Sequence, residues 1–360
     1  MSEWYNNFGD TMKKRKVKKT FKILIILFFI VAAAIIFKNV NMKKDDHKKI
    51  ENKKDLSVFI SDSDYNEKYE NSYYDIKYVE KKDFLKNVNI LLDKGYTTDE
   101  INRVFEHLSD KNISKLINSE RLKLDEFYTI KNFNVDNYDR YVNYKKSSGI
   151  SDISKIVTYV NIDLDKPDYT DMNTIADPDD FFVIVNKHNK LPDGYVPKDL
   201  VAYNKNNSLR TTIKKVMVDS LTEFFNAAVK DGHNLYQTTS YRDYNWQNNL
   251  YTSYVNRDGK EKADTYSARP GNSEHQTGYA IDLANSDLKN TRLTDEDALW
   301  IKENCYKYGF ILRYTEENKH ITRYIAESWH IRYVGLDAAK IIHENNLTLE
   351  EYVDLYIKEY

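Results

Sequence analysis

Ser273-Glu274-His275-Gln276-Thr277-Gly278-Tyr279-Ala280-Ile281-Asp282, read with Glu327-Ser328-Trp329-His330, is the part of this chain that decides its fold and chemistry. Gly278 to Leu283 and Trp329 to Val334 have the short, half-apolar pattern of strands, so His275 stands at a loop end, with Asp282 and His330 on two strands. In an extended chain Ala280 and Asp282 share a face, and the small Ala280 leaves room beside the carboxylate. Gly278 lets the backbone turn between His275 and Asp282. Two imidazoles and a carboxylate are the donor set of a catalytic zinc site, which keeps a fourth position for water. Glu327 precedes His330 by three residues and is the carboxylate left free to move protons.

The remaining histidines carry less. His47, His107, His188, His233 and His343 lie in charged or turn contexts, and His320 falls in the polar run Glu316-Glu317-Asn318-Lys319-His320. Cys305 is the only cysteine, which excludes an internal disulfide framework and a multi-cysteine metal cluster. It reads as a small buried hydrophobe where a helix runs into a strand.

Outward from the motif, Leu235 to Tyr241 reads as a further short strand, as do Ile156-Val157-Thr158-Tyr159-Val160 and Phe181-Phe182-Val183-Ile184-Val185. Residues 211–231 fit an amphipathic helix with Ile213, Val216, Met217, Leu221, Phe224, Phe225 and Ala228 on its apolar side. Helices and strands do not alternate as in a doubly wound sheet. The expected class is α+β, a small mostly antiparallel sheet flanked by helices and carrying the zinc site.

Ahead of it, residues 79–150 have a helical pattern. Gly95 ends one helix, and Thr97-Thr98-Asp99-Glu100 opens another with a capping box. Residues 38–78 are polar and read as a stalk. Phe21 to Phe37 is apolar apart from Lys22; its 17 residues span about 25 Å as a helix, and 23–37 is expected to be a transmembrane anchor. Residues 1–22 carry seven Lys or Arg against Glu3 and Asp10, a basic tail expected on the cytoplasmic side. The net charge of the whole chain is -2, so the rest carries -7, and this acidic body argues against nucleic acid as a partner.

Ser273-x-His275-x-x-Gly278-x-x-x-Asp282 followed by Glu327-x-Trp329-His330 resembles the zinc D-alanyl-D-alanine carboxypeptidases of the VanY type, within the group that includes lysostaphin-like peptidases and the hedgehog signalling domain. The resemblance covers residues 181–360 of an expected catalytic domain at 151–360. It takes in Arg242 with Gln247, Arg269-Pro270-Gly271 and Tyr308-Gly309-Phe310-Ile311-Leu312-Arg313-Tyr314. It implies zinc (Zn2+) on His275, Asp282 and His330, with Glu327 as base. Arg242 would polarise the scissile carbonyl, Ser273 and Gln247 would hold the terminal carboxylate or peptide groups, and Trp329 would form a cleft wall. Where the family commonly has Ser-Gly-Tyr-Arg, this chain has Thr239-Ser240-Tyr241-Arg242, which bears on substrate preference. The implied activity is removal of the C-terminal residue from peptidoglycan stem peptides outside the bacterial membrane. An LD-carboxypeptidase, a wall endopeptidase and a non-catalytic zinc-containing wall-binding module are the alternatives.

Overall fold

The computed structural model describes residues 56–123, 126–203, 211–286 and 292–360. Two compact units divide between residues 123 and 124.

The first unit is helical, with Phe84–Asp93, Thr98–His107 and Asp110–Asn118 as its main helices. Thr97 Oγ1 accepts from the Glu100 N–H at 3.2 Å, and Glu100 Oε2 accepts from the Thr97 N–H at 2.7 Å. That reciprocal pair satisfies donors which the first helical turn leaves open. Val88, Leu91, Ile101, Val104 and Leu116 form the buried interior of this unit.

The second unit holds all eight strands of the described residues. β1 (Asn173–Thr174) pairs in parallel with β2 (Asn189–Lys190), and β3 (Leu200–Ala202) pairs antiparallel with β4 (Thr212–Lys214). The third sheet is antiparallel, ordered β5 (Leu235–Thr239), β6 (Ala280–Asn285), β8 (Glu327–Tyr333), β7 (Phe310–Tyr314). Side chains alternate across it. Ile281, Leu283, Phe310 and Ile331 enter a core with Leu221 and Phe224 of helix Val218–Lys230 and with Trp300 and Ile301 of helix Asp295–Asn304. The intervening positions Asp282, His330, Arg332 and Arg313 belong to the opposite set. This face carries the chemistry.

The expected fold class is corrected. The described residues form a mixed α/β structure of helices and three small sheets, one of them parallel, instead of a single sheet behind a membrane helix. No helix among them is long and apolar enough to cross a membrane. The longest, Tyr244–Asp258, has 15 residues. That is about 22 Å, against roughly 30 Å of hydrocarbon. The tail at 1–22, the expected anchor at 23–37 and residues 38–55 of the expected stalk lie outside the described residues.

Two expected strands are not strands. Ile156 to Val160 lies inside helix Ile153–Asn161, where Asp152 caps the start by accepting from the Lys155 N–H at 3.2 Å. An apolar β-branched run reads alike as a buried strand or a buried helix, and here a polar cap opens the helix. Phe181 to Val185 is irregular: the Phe181 and Val183 carbonyls accept from the Arg332 guanidinium, not from a neighbouring strand. The expected helix at 211–231 is confined to Val218–Lys230, because residues 212–214 pair as β4.

Candidate metal centre and catalytic cavity

The register of β6 on β8 sets Asp282 directly opposite His330. Cross-strand neighbours on one face stand about 5 Å apart, so the pairing alone brings this carboxylate to this imidazole. His275 arrives from the 3-10 helix Glu274–Thr277, which Gly278 ends at φ +77°. That backbone conformation suits glycine, and a Cβ there would meet Leu200 Cδ2 at 2.7 Å. Glu327 begins β8 and lies across from Tyr314 at the end of β7.

The side chains converge. Asp282 Oδ1 is 3.3 Å from His275 Nε2 and 3.1 Å from His330 Nδ1. Glu327 Oε2 stands 3.8 Å from His330 Nδ1, and Arg242 Nη2 is 3.5 Å from Asp282 Oδ2. All of them line one cavity of about 290 Å³, together with Ser273, Gln247, Trp329, Tyr314 and Tyr324. Trp329 is 41% exposed and forms its rim, whereas Ser273 and Gln247 are buried.

Hydrogen bonding decides which atoms can bind a cation. His275 Nδ1 is 2.6 Å from the Ser240 carbonyl, which can only accept, so Nδ1 carries the proton and Nε2 a lone pair. Nε2 is buried, accepts no hydrogen bond, and faces the Asp282 carboxylate. Two acceptors aimed at one point call for a cation between them. One donor atom from each of His275, Asp282 and His330 lies within 4.8 Å of the others. Zinc bonds of about 2.0–2.1 Å in a tetrahedron put neighbouring donors about 3.3 Å apart, close to the distances Asp282 makes. The residues fit a tetrahedral metal with three protein ligands.

The charges are arranged to match. Burial and the Arg242 cation pull the His275 imidazole down to about 4, so it stays neutral. Burial alone would raise Asp282, but the two histidines and Arg242 hold it well below the usual carboxylate range. Burial pulls His330 down, yet Asp282 and Glu274 outweigh it and raise the imidazole to about 9. Glu327 goes the other way from Asp282: burial, reinforced by the Asp282 charge, lifts its carboxyl to about 7. Two carboxyls so separated can serve as ligand and as proton carrier.

Besides His275, two further cavity residues keep polar atoms without partners. Gln247 Nε2 donates to the Ala268 carbonyl at 2.7 Å, which leaves Oε1 unpaired, and Arg242 Nε is likewise unpaired. The cavity therefore offers one acceptor and one cationic donor.

Sequence reasoning passed over Glu274, Tyr314 and Tyr324. Glu274 is buried against Arg313 and Arg332, and Tyr314 packs its ring 5.0 Å from that of His330. One signal was available: Arg313 and Arg332 each interrupt an apolar strand, and a buried charge requires a partner. Among the other described histidines, His320 has a local role, its Nε2 3.1 Å from the Tyr159 hydroxyl. Cys305 is buried, with its thiol pushed up by burial to about 12.

The sequence profile of the VanY D-alanyl-D-alanine carboxypeptidases matches residues 210–336. YodJ of Bacillus subtilis (strain 168), a carboxypeptidase by name, is 38% identical over 219 residues, covering 58% of this chain and 79% of the relative. A D-alanyl-D-alanine carboxypeptidase of Enterococcus faecium is 38% identical over 178 residues, covering 49% of this chain and 52% of the relative. Among solved structures, a mutant of the vancomycin-resistance D,D-pentapeptidase VanY in complex with Zn(II) is 32% identical with a TM-score of 0.44, covering 48% of this chain and 99% of that one. The fold sets three residues that could hold one metal ion at a single cavity. The chain belongs to the VanY family of carboxypeptidases.

Proposed function

We propose that this protein is a zinc-dependent carboxypeptidase that removes the terminal residue from peptidoglycan stem peptides ending in D-Ala-D-Ala, with its catalytic domain working outside the cell. The observation that carries the reading is the convergence of His275, Asp282 and His330 beside a fourth group, Glu327, that faces the same cavity. A purely structural metal site would need neither Glu327 nor Arg242.

His275, Asp282 and His330 would hold the zinc, which when bound would lower the pKa of water towards about 7 and polarise a carbonyl. Glu327 takes the proton from the attacking water and returns it to the leaving amine; a carboxyl near 7 is matched to both transfers. Arg242, a cation in the cavity lining, stabilises the oxygen that becomes negative as the carbonyl is attacked. Gln247 Oε1 accepts from a substrate N–H, since its own amide is already spent on Ala268. Ser273 lies beside the metal ligands to bind the terminal carboxylate, and Trp329 covers the residue entering over the rim.

The test incubates the zinc-loaded protein with a stem pentapeptide ending in D-Ala-D-Ala and with the corresponding tetrapeptide, with products followed by mass spectrometry. Loss of one alanine from the pentapeptide, abolished in Glu327→Ala, is the expected result. Cleavage of the tetrapeptide alone would move the specificity to LD bonds, and no turnover of either would refute the proposal.

A further inference from the structure

Four charged side chains lie buried together beside the metal-binding residues, on the same face of the sheet. Glu274, Arg313, Arg332 and Glu350 are each no more than 4% exposed. Arg313 holds Glu350 with two parallel bonds, Nη1 to Oε2 at 3.0 Å and Nη2 to Oε1 at 2.6 Å. Its Nε donates to Glu274 Oε1 at 2.8 Å, and Arg332 Nη1 reaches that same oxygen at 3.3 Å. Both cations thus use one oxygen of Glu274. The other, Oε2, faces His330 Nε2 at 3.4 Å.

Burying such a cluster is unfavourable compared with apolar packing of the same volume, so its presence calls for a purpose other than stability. The position of Oε2 supplies one. A histidine that binds a metal through one nitrogen needs an acceptor on the other to fix its tautomer and ring plane. His275 has the Ser240 carbonyl at Nδ1. His330 has Glu274 at Nε2, which leaves Nδ1 towards Asp282. The two ligands are oriented through opposite ring nitrogens, each by a buried acceptor.

We infer that Glu274 is a positioning residue for the metal site: clamped by Arg313 and Arg332, its Oε2 accepts a hydrogen bond from the Nε2–H of His330 and so presents Nδ1 to the metal. The inference rests on reading His275, Asp282 and His330 as metal ligands. Glu350 and Arg313 act one step further out, by fixing Glu274.

The test measures zinc affinity of the full chain by competition with a chromophoric chelator, for the parent protein, Glu274→Gln and Glu350→Gln. The parent binds one equivalent, and Glu274→Gln binds about 10–100-fold more weakly. Glu350→Gln, which loosens Arg313 but leaves Oε2 of Glu274 facing His330, stays within about threefold of the parent. A parent that binds no zinc overturns the metal-site reading itself. Tight binding by the parent with equal affinity in Glu274→Gln, or equal losses in both variants, overturns the role of Glu274 alone. Nitrogen-15 NMR of the imidazoles in the zinc-loaded parent decides the matter without a variant. A proton on His330 Nε2 supports the inference, and a proton on Nδ1 overturns it.

Discussion

Zinc binding should release a proton, and the structure says from where. In the metal-free protein His330 titrates at about 9, lifted by its acceptors Asp282 and Glu274 against the pull of burial. Its Nδ1 proton, directed at Asp282 Oδ1 at 3.1 Å, occupies the direction a metal needs. His275 titrates at about 4 and Asp282 lies well below the usual carboxylate range, so neither holds a competing proton near neutrality. At pH 6 only about one His330 in a thousand is unprotonated, which lowers apparent zinc affinity by about a thousandfold, or ~4 kcal/mol. The sign is fixed: lower pH loads the ligand with its proton, so affinity falls as pH falls, about tenfold per unit between pH 5.5 and 6.5. Calorimetry in buffers of different ionisation enthalpy counts the protons directly. It is best done in Glu327→Gln, which removes the one nearby carboxyl that would add protons of its own. About one proton per zinc is expected. A release near zero with a flat affinity would mean that His330 is already neutral, and the electrostatic description of the site would be wrong.

Arg242→Lys replaces a planar cation having an unpaired Nε–H with a point charge; kcat should fall about 100–1000-fold while zinc stoichiometry holds. A purely KM effect, seen in steady-state kinetics on the pentapeptide, would refute that role. Because Glu327 must be ionised to accept a proton, kcat/KM should show an acid limb with its midpoint raised by burial to about 7, so that the rate falls as pH falls from 7 to 5. A rate independent of pH from 5 to 7 would assign the base elsewhere. Gly278→Ala forces alanine to φ +77° and pushes against Leu200 Cδ2 at 2.7 Å, the movable end of a side chain. The combined cost is about 2–3 kcal/mol, a loss of about 5–10 °C in thermal midpoint by calorimetry. An unchanged midpoint would mean that the turn relaxes freely.

The proposed ligand set was open to sequence reasoning because its signal is chemical. His275, Asp282, Glu327 and His330 are residue types with few other reasons to recur at such spacing, and the structure brings all four to one cavity. Strand assignments succeeded at Ala280–Asn285 and Glu327–Tyr333, where Asp282, His330 and Arg332 alternate with apolar neighbours. They failed at Ile156 to Val160, where burial on every side removes the periodicity that separates strand from helix. Phe181 to Val185 failed for another reason: the Val183 and Phe181 carbonyls answer a guanidinium that lies 149 and 151 residues away in sequence. Glu274 escaped notice in the middle of the motif, because its partners come from β7 and β8 and only the folded sheet brings them together. The spacing of Ser273 and His275 made the residue between them look like filler.

The account stands on one metal ion that His275, Asp282 and His330 hold and that hydrolysis requires. A titration of metal-free protein with zinc, read as initial rate on the D-Ala-D-Ala pentapeptide, tests this most directly. The expected rate rises linearly and breaks at one equivalent, with no rate before the first addition and none at any zinc level in Asp282→Ala. Full activity in the metal-free protein, or a rate that Asp282→Ala preserves, would contradict the account.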